Sequence, residues 1–297
     1  MRCDLHVHSW HSGFCEVPLV RAVCRECYSD PLAVYDRLKR QGMDLVTVTD
    51  HDSIGAAEAL RARPDFFLSE EVSCTLPSGA LLHIGVYDIT DRDHIEIQRR
   101  RDDFPSLAAY LRERGLFFSA NHVFSSLTGR RFAADFTLFE SAFPAIETLN
   151  GHMLPLANRA ASTLAAFASR IEVGGSDAHG MASLGCAFTE VPGARTRQEY
   201  LDGLRAGYGK VMGQSGGYWR VTRDVYAIAC NMVRELPLTL ALAPLFLAVP
   251  LVTLGNLARE AVFSQGWAAR YLQSVRLRTA LADEAARQAE PAAEEAA

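Results

Sequence analysis

At 297 residues, with 49% apolar side chains and a net charge of −5, the chain is long enough for one large α/β domain with an appendage and can bury a sizeable core. The mild acidic balance and the lack of clustered Lys/Arg exclude the electrostatic footprint of a duplex nucleic-acid binder. The start is strand-like, without the charged and apolar regions of a secretory signal, and seven cysteines, an odd number, read as reduced thiols of a cytoplasmic chain.

In chain order, residues 2–8 predict a first strand ending in His6 and His8. Cys24-x-x-Cys27 has no second pair to close a zinc site and reads as local thiols. Asp30-Pro31 opens a helix that Gly42 closes, since Asp can cap and Pro suits the first turn. Residues 45–48 are a β-branched strand ending at Asp50, and 54–61 look helical. Residues 66–68 and 81–84 flank a Pro77-Ser78-Gly79 turn, which suggests a hairpin. A helix over 106–114, a strand over 116–118, a strand over 144–149, a helix over 155–170 and a strand from 171 follow. Thr196-x-x-Glu199 forms a capping-box pattern that opens a helix ending near Gly207. This alternation predicts a barrel of parallel-biased strands, with the chemistry gathered at their C-terminal ends.

After the Gly-rich linker 213–217 the character changes, dividing a barrel at 1–212 from a helical, apolar extension at 218–297. Residues 236–258 carry no charge, although Pro237, Pro244 and Pro250 interrupt them. A buried helical hairpin, a self-association contact and a membrane-embedded segment all fit, and the uncharged length favours the membrane. The Ala/Glu-rich end from Asp283 reads as a fraying helix and a disordered tail.

Ligand-type residues recur just past the apolar runs: His6-x-His8, Asp50-His51, Glu71 with His83, His122, and Asp177-x-His179. Neutral imidazoles and carboxylates bind Zn²⁺, Mn²⁺ and Fe²⁺, and a carboxylate can bridge two ions. So many histidines without a chemical role would be unusual. The ordered segments Asp4-Leu5-His6-Val7-His8-Ser9, Thr49-Asp50-His51-Asp52, Asn121-His122 and Gly175-Ser176-Asp177-Ala178-His179 resemble the polymerase and histidinol phosphatase (PHP) family over residues 2–192.

The resemblance implies a distorted (β/α)7 TIM-like barrel, a cluster of two or three divalent ions (Zn, Mn or Fe), and phosphoester hydrolysis by a metal-bound hydroxide. It implies that His6, His8 and Asp177 hold one ion, that Glu71 bridges to a second held by His83 and His122, and that His51 and His179 hold a third. Glu71 and His179 would act at the reacting centre, with Asp50 behind the histidines of the third ion. Glu147 and Asn150 would line the pocket. The chain departs from the family where Ser12-Gly13 lacks an expected Asp; His11 could substitute, Asp30 could if 14–28 loop out, or the third site is incomplete.

Arg130 and Arg131 are either surface charge or phosphate attractors at the mouth. His94 reads as an exposed helix residue, His152 as a loop residue able to touch substrate, Asp52 as a helix cap and Glu70 as solvent-facing. The expected substrate is a small phosphorylated metabolite or nucleotide. Exonuclease action on short oligonucleotides is the alternative, and a membrane-tethered metal-binding regulator without turnover is a third reading.

Overall fold

The computed structural model describes residues 1–15 and 20–289. A five-stranded sheet runs β2 (Ser69–Thr75), β3 (Leu81–Tyr87), β4 (Phe117–Ala120), β5 (Ala145–Asn150) and β6 (Ile171–Gly175). β2, β3 and β4 pair antiparallel; β4, β5 and β6 pair parallel. A second sheet holds β1 (Arg2–Cys3), β7 (Ala187–Glu190) and β8 (Lys210–Gly213), all antiparallel. The expected hairpin forms, with Ser69 opposite Tyr87 and Thr75 opposite Leu81, so its first strand starts after Phe66–Leu68.

The two sheets do not join into the closed barrel that was expected. Beyond β1, the expected strands over 2–8 and 45–48 meet their neighbours mainly through isolated parallel bridges, Val7 to Ala178 and Val46 to Phe66, with a further one from His51 to Glu71. The physical reason is that side chains intercept the ladder's amides. Thr49 Oγ1 accepts from Val7 N at 3.0 Å, Asp50 accepts from Ser9 N at 2.6 Å, and Asp4 Oδ1 accepts from His6 N and Ser176 N.

Helices cover the larger sheet. α1 (Pro31–Arg40) starts as anticipated, with Asp30 accepting from Ala33 N at 3.0 Å; α2 is the short Ala57–Leu60. α3 (Asp91–Gln98) carries a full capping box between Thr90 and Asp93. α4 (Phe104–Glu113), α5 (Ala133–Ala142) and α6 (Pro155–Phe167) bury Leu107, Leu111, Phe139 and Leu164 against Val72, Ile84, Phe118 and Ile146. α7 (Arg197–Arg205) has Thr196 as its cap, but the Glu199 carboxylate turns to Arg195 N, so the reciprocal half of the predicted box is not made.

The extension comprises α8 (Tyr218–Glu235), a 3-10 turn at Pro237–Leu242, α9 (Ala243–Phe246) and α10 (Val249–Ala289). Each of the three prolines sits in the first turn of a new helical segment, where its missing N–H costs nothing. α10 returns to the main core: Ala268 and Tyr271 join it, and Glu260 accepts from Ser125 Oγ at 2.8 Å. Among the described residues no single helix is long and apolar enough to cross a membrane. Pro237–Phe246 and Val249–Leu281 reach that composition only together, and the pair is bent by 66°. The buried-hairpin reading is overturned, because Leu238, Leu247 and Leu251 are 94%, 84% and 72% exposed. Of the Ala/Glu-rich end, residues 290–297 lie outside the described residues.

Candidate metal centre

Glu71 stands at the centre of the site. It lies on β2, fully buried, beside His51 through the parallel bridge. Its Oε2 faces four imidazoles: His6 Nε2 at 3.1 Å, His51 Nδ1 at 3.2 Å, His8 Nε2 at 3.5 Å and His83 Nδ1 at 3.6 Å. Its Oε1 meets Asn121 Nδ2 at 2.9 Å and His122 Nε2 at 3.3 Å. Burial opposes charge on this carboxyl, yet the fields of His6, His83 and His51 hold it well below the usual carboxylate range.

Asp177 is the second acid, placed beyond β6. Its Oδ1 is 3.3 Å from His8 Nε2 and 3.5 Å from His6 Nε2. Burial likewise resists its ionisation, and His6, His8 and His179 overcome that, holding it low. Asp177 and His122 both adopt left-handed backbone, at φ +51° and +32°, which a non-glycine residue holds only when its surroundings dictate it. The neighbouring Gly175 permits this packing, since a Cβ there would collide with the His6 backbone and Cβ.

The histidines divide by environment. Burial pushes His8 and His83 down to about 3. His51 is also desolvated, but Glu71 and Glu26 outweigh that and lift it to about 9. Among the described residues, four sets could hold an ion: His6/His8/Asp177, His6/Glu71/His122, His51/Glu71/His83 and His8/His51/His179. Buried His6 Nε2, His8 Nε2, His51 Nδ1, His122 Nδ1, His179 Nε2 and Glu71 Oε2 have no hydrogen-bond partner. Buried polar atoms left this way are costly unless something else satisfies them, and these donors suit a divalent cation.

Several expected residues sit elsewhere. Glu147 and Asn150 are 3% and 0% exposed, so they stand behind the cluster and do not line an open pocket. Glu147 Oε1 accepts from His6 Nδ1 at 2.7 Å, while Asn150 Nδ2 donates to Glu147 and to Asp177 at 3.0 Å each. Asp50 backs His8, not His51 and His179: it accepts from Ser9 and Ser12, and Ser12 Oγ in turn meets His8 Nδ1 at 3.0 Å. Arg131 is buried, held by the carbonyls of Val123 and Leu81 and by Thr128, and cannot attract a phosphate; Arg130 is exposed.

Neither candidate for the missing acid reaches the outer histidines. Asp30 is occupied as the α1 cap, and the His11 ring lies against Gly55 and accepts from Trp10 Nε1. Glu26, which the sequence reading passed over, does reach them. Its Oε1 is 3.4 Å from His179 Nε2 and 3.5 Å from His51 Nε2. The available signal was an acid within the apparent insertion, between two cysteines. His152 is brought beside His179, ring centroids 6.1 Å apart. Glu70 is buried and bound by His94 and Gln98, so neither Glu70 nor His94 is free on the surface. Asp52 accepts from Ser73 N and pairs with Arg101, so it does not cap a helix.

Fold and cluster together describe a mixed α/β chain with a buried histidine–carboxylate centre. Residues 155–208, from the start of α6 to just beyond α7, match the family model described as PHP-associated. No curated protein matches the sequence. Among solved structures, PsfC from Pseudomonas syringae is similar in fold, with a TM-score of 0.54 and 18% identity over 79% of this chain and 98% of its own. The lesion-specific endonuclease PfuEndoQ from Pyrococcus furiosus is similar at a TM-score of 0.48 and 19% identity, over 71% of this chain and 57% of its own. An amidohydrolase from Chromobacterium violaceum is similar at 0.46 and 16%, over 72% and 98%.

Proposed function

We propose that this chain hydrolyses a phosphate ester of a small metabolite or nucleotide, using two or three divalent ions (Zn, Mn or Fe) held by the histidine–carboxylate cluster. The observation that carries this reading is Glu71 Oε2, one buried and unpartnered carboxylate oxygen shared by four imidazoles. When bound, such ions supply a Lewis acid to the phosphoryl group and an acidified water to attack it.

The chain's own residues prepare that chemistry. Glu147 takes the Nδ1 proton of His6, and the Asp50–Ser12 relay takes that of His8, so each ring presents its Nε2 lone pair inward. Glu71 spans the inner and outer histidines. The cluster opens on one side: side chains of His6 and His8 are 1% and 0% exposed, whereas His51, His179 and His83 are 14%, 15% and 21% exposed. His179 therefore stands where a substrate oxygen arrives.

Exonuclease action at the end of a short oligonucleotide is the second reading, supported by the surface beside His179. A cavity of about 390 Å³ reaches His179 and shares Tyr28 and Asn231 with a groove of about 580 Å³ that also contains Trp10 and Arg234. Aromatic faces suit a base, and the exposed Arg234 guanidinium, which donates to Asn231 Oδ1 at 3.2 Å, suits a second phosphate. As a partner surface we propose the outward leucines of residues 236–258, meeting a bilayer or a second copy of the chain.

The test is metal analysis of the purified chain, followed by p-nitrophenyl phosphate and a nucleotide panel with Mn²⁺, Fe²⁺ or Zn²⁺ added. Glu71→Ala and His122→Ala should each abolish turnover. A folded chain that takes up no metal, or that loads metal and hydrolyses nothing in the panel, ends the reading.

A further inference from the structure

We propose that Glu26 is the carboxylate of the outermost ion, delivered by the loop after His8 and locked in place by the C-terminal extension. The inference rests on the metal-centre reading and goes beyond it, since neither the family motifs nor the sequence assign this residue.

The first argument is one of allotment. The four candidate sets form a ring in which neighbours share His8, His6, Glu71 or His51. A carboxylate can bridge two ions, whereas a neutral imidazole gives one lone pair to one ion. His6 and His8 have no second nitrogen to offer, because their Nδ1 atoms are engaged with Glu147 and Ser12. The four sets therefore cannot all be filled. Adding Glu26 resolves the conflict. His6, His8 and Asp177 serve one ion, His83 and His122 a second with Glu71 shared between them, and His51 and His179 a third with Glu26. Every imidazole is then used once.

The second argument is geometric. Nε2 of His51 and Nε2 of His179 both converge on Oε1 of Glu26, at 3.5 Å and 3.4 Å, and the His179 atom is buried without a hydrogen bond. The loop is built to hold the acid there. Phe14 and Arg25 form an antiparallel bridge, Glu26 N donates to Gly13 O at 3.0 Å, and Cys15 N donates to Cys24 O at 3.0 Å. Next to Glu26, the Arg25 guanidinium makes a forked contact with Glu235 at the end of α8, at 2.9 Å and 3.0 Å. Trp10 N, bonded to Ser29 O at 3.0 Å, closes the loop's other side. The carboxylate missing from the short turn at Ser12-Gly13 is thus replaced by one from further along, and the extension clamps its neighbour.

The experiment is a metal titration of the full chain with Mn²⁺ or Zn²⁺, read by calorimetry and by elemental analysis after desalting, for wild type, Glu26→Gln, Asp30→Ala, His11→Ala and Glu235→Ala. The wild type should take up a third equivalent that Glu26→Gln loses or binds about a hundredfold more weakly, with the tighter equivalents and the circular dichroism unchanged. Asp30→Ala and His11→Ala should keep it. Glu235→Ala should weaken only the third equivalent, by about tenfold, because it acts through position. Should Glu26→Gln fold poorly, Glu26→Asp, which keeps the charge one methylene short, should fold and show the same selective weakening.

A Glu26 variant with an undiminished third equivalent overturns the proposal. So does loss of that equivalent in Asp30→Ala or His11→Ala alone, or a wild type that saturates at two. A wild type that binds no metal at all would instead bring down the metal-centre reading on which this rests.

Discussion

Glu147 shows how much of the centre is built by residues that never face substrate. Its two oxygens serve His6 Nδ1 and the backbone N–H of His122, so one carboxylate orients histidines from two different segments. Exchanging it for Gln keeps the volume and removes the charge that fixes the His6 tautomer. Glu147→Gln should weaken metal binding about 10–100-fold, measured by competition with a chelator of known affinity. Affinity equal to wild type would show that His6 needs no such support. His6, His8, His51, His122 and His179 were readable because they stand in the four ordered segments that follow apolar runs. Glu26 was not, because its role depends on a bridge between Phe14 and Arg25 that no local pattern announces.

Among the elements, β5 shows how two site residues come together. Glu147 and Asn150 are three apart, a spacing that puts side chains on opposite faces of a regular strand. A bulge between Glu147 and Leu149 shifts the register, and the two side chains then meet at 3.0 Å behind the cluster. Helix starts were more legible, since Asp30 and Thr196 both cap as their chemistry suggests, although the Thr90 start of α3 was not anticipated.

The α3 start also gives a pH-dependent prediction. Burial opposes ionisation of Asp93, but Thr90, Tyr110 and Arg114 hydrogen-bond it and hold it down to about 2, from 3.8. A depressed carboxyl stabilises the fold above 3.8, and that contribution is lost as pH falls towards 2. Asp93→Asn should cost about 1–2 kcal/mol at neutral pH in denaturant unfolding. The gap to wild type should narrow through that acid range, and a gap independent of pH would contradict the assignment.

For the molecule as a whole, the extension and the α/β body share one core. α10 sets Tyr271 against Phe124 and Phe136 and holds both arms of Arg278 on Glu140 at 2.7 Å. Arg220 of α8 binds the carbonyls of Gly151 and Gln214. Truncation after Gly216 should lower stability by about 5 kcal/mol or more, since several large apolar side chains lose their cover. Thermal melting and binding of an apolar dye would report it. The same pair of chains, compared by fractionation, reads the leucine face of 236–258. A truncated chain as stable as the full one would mean that α10 only rests on the body. Composition and the uncharged run of 236–258 made the extension visible, but could not reveal that α10 doubles back; that depends on Glu260, Ser264 and Tyr271 finding partners more than a hundred residues away.

The one-sided opening of the cluster has a bearing on what can enter. With His6, His8 and Glu71 sealed and water reaching the cluster at His51, His179, His83 and Glu26, the site is a well entered from the side of the outer histidines. On the proposed reading, a phosphoryl group must come down on the end of a stalk, and a linkage flanked on both sides by bulk would stop at the rim. The depth of the well, more than any single contact, would then sort terminal phosphates from internal ones.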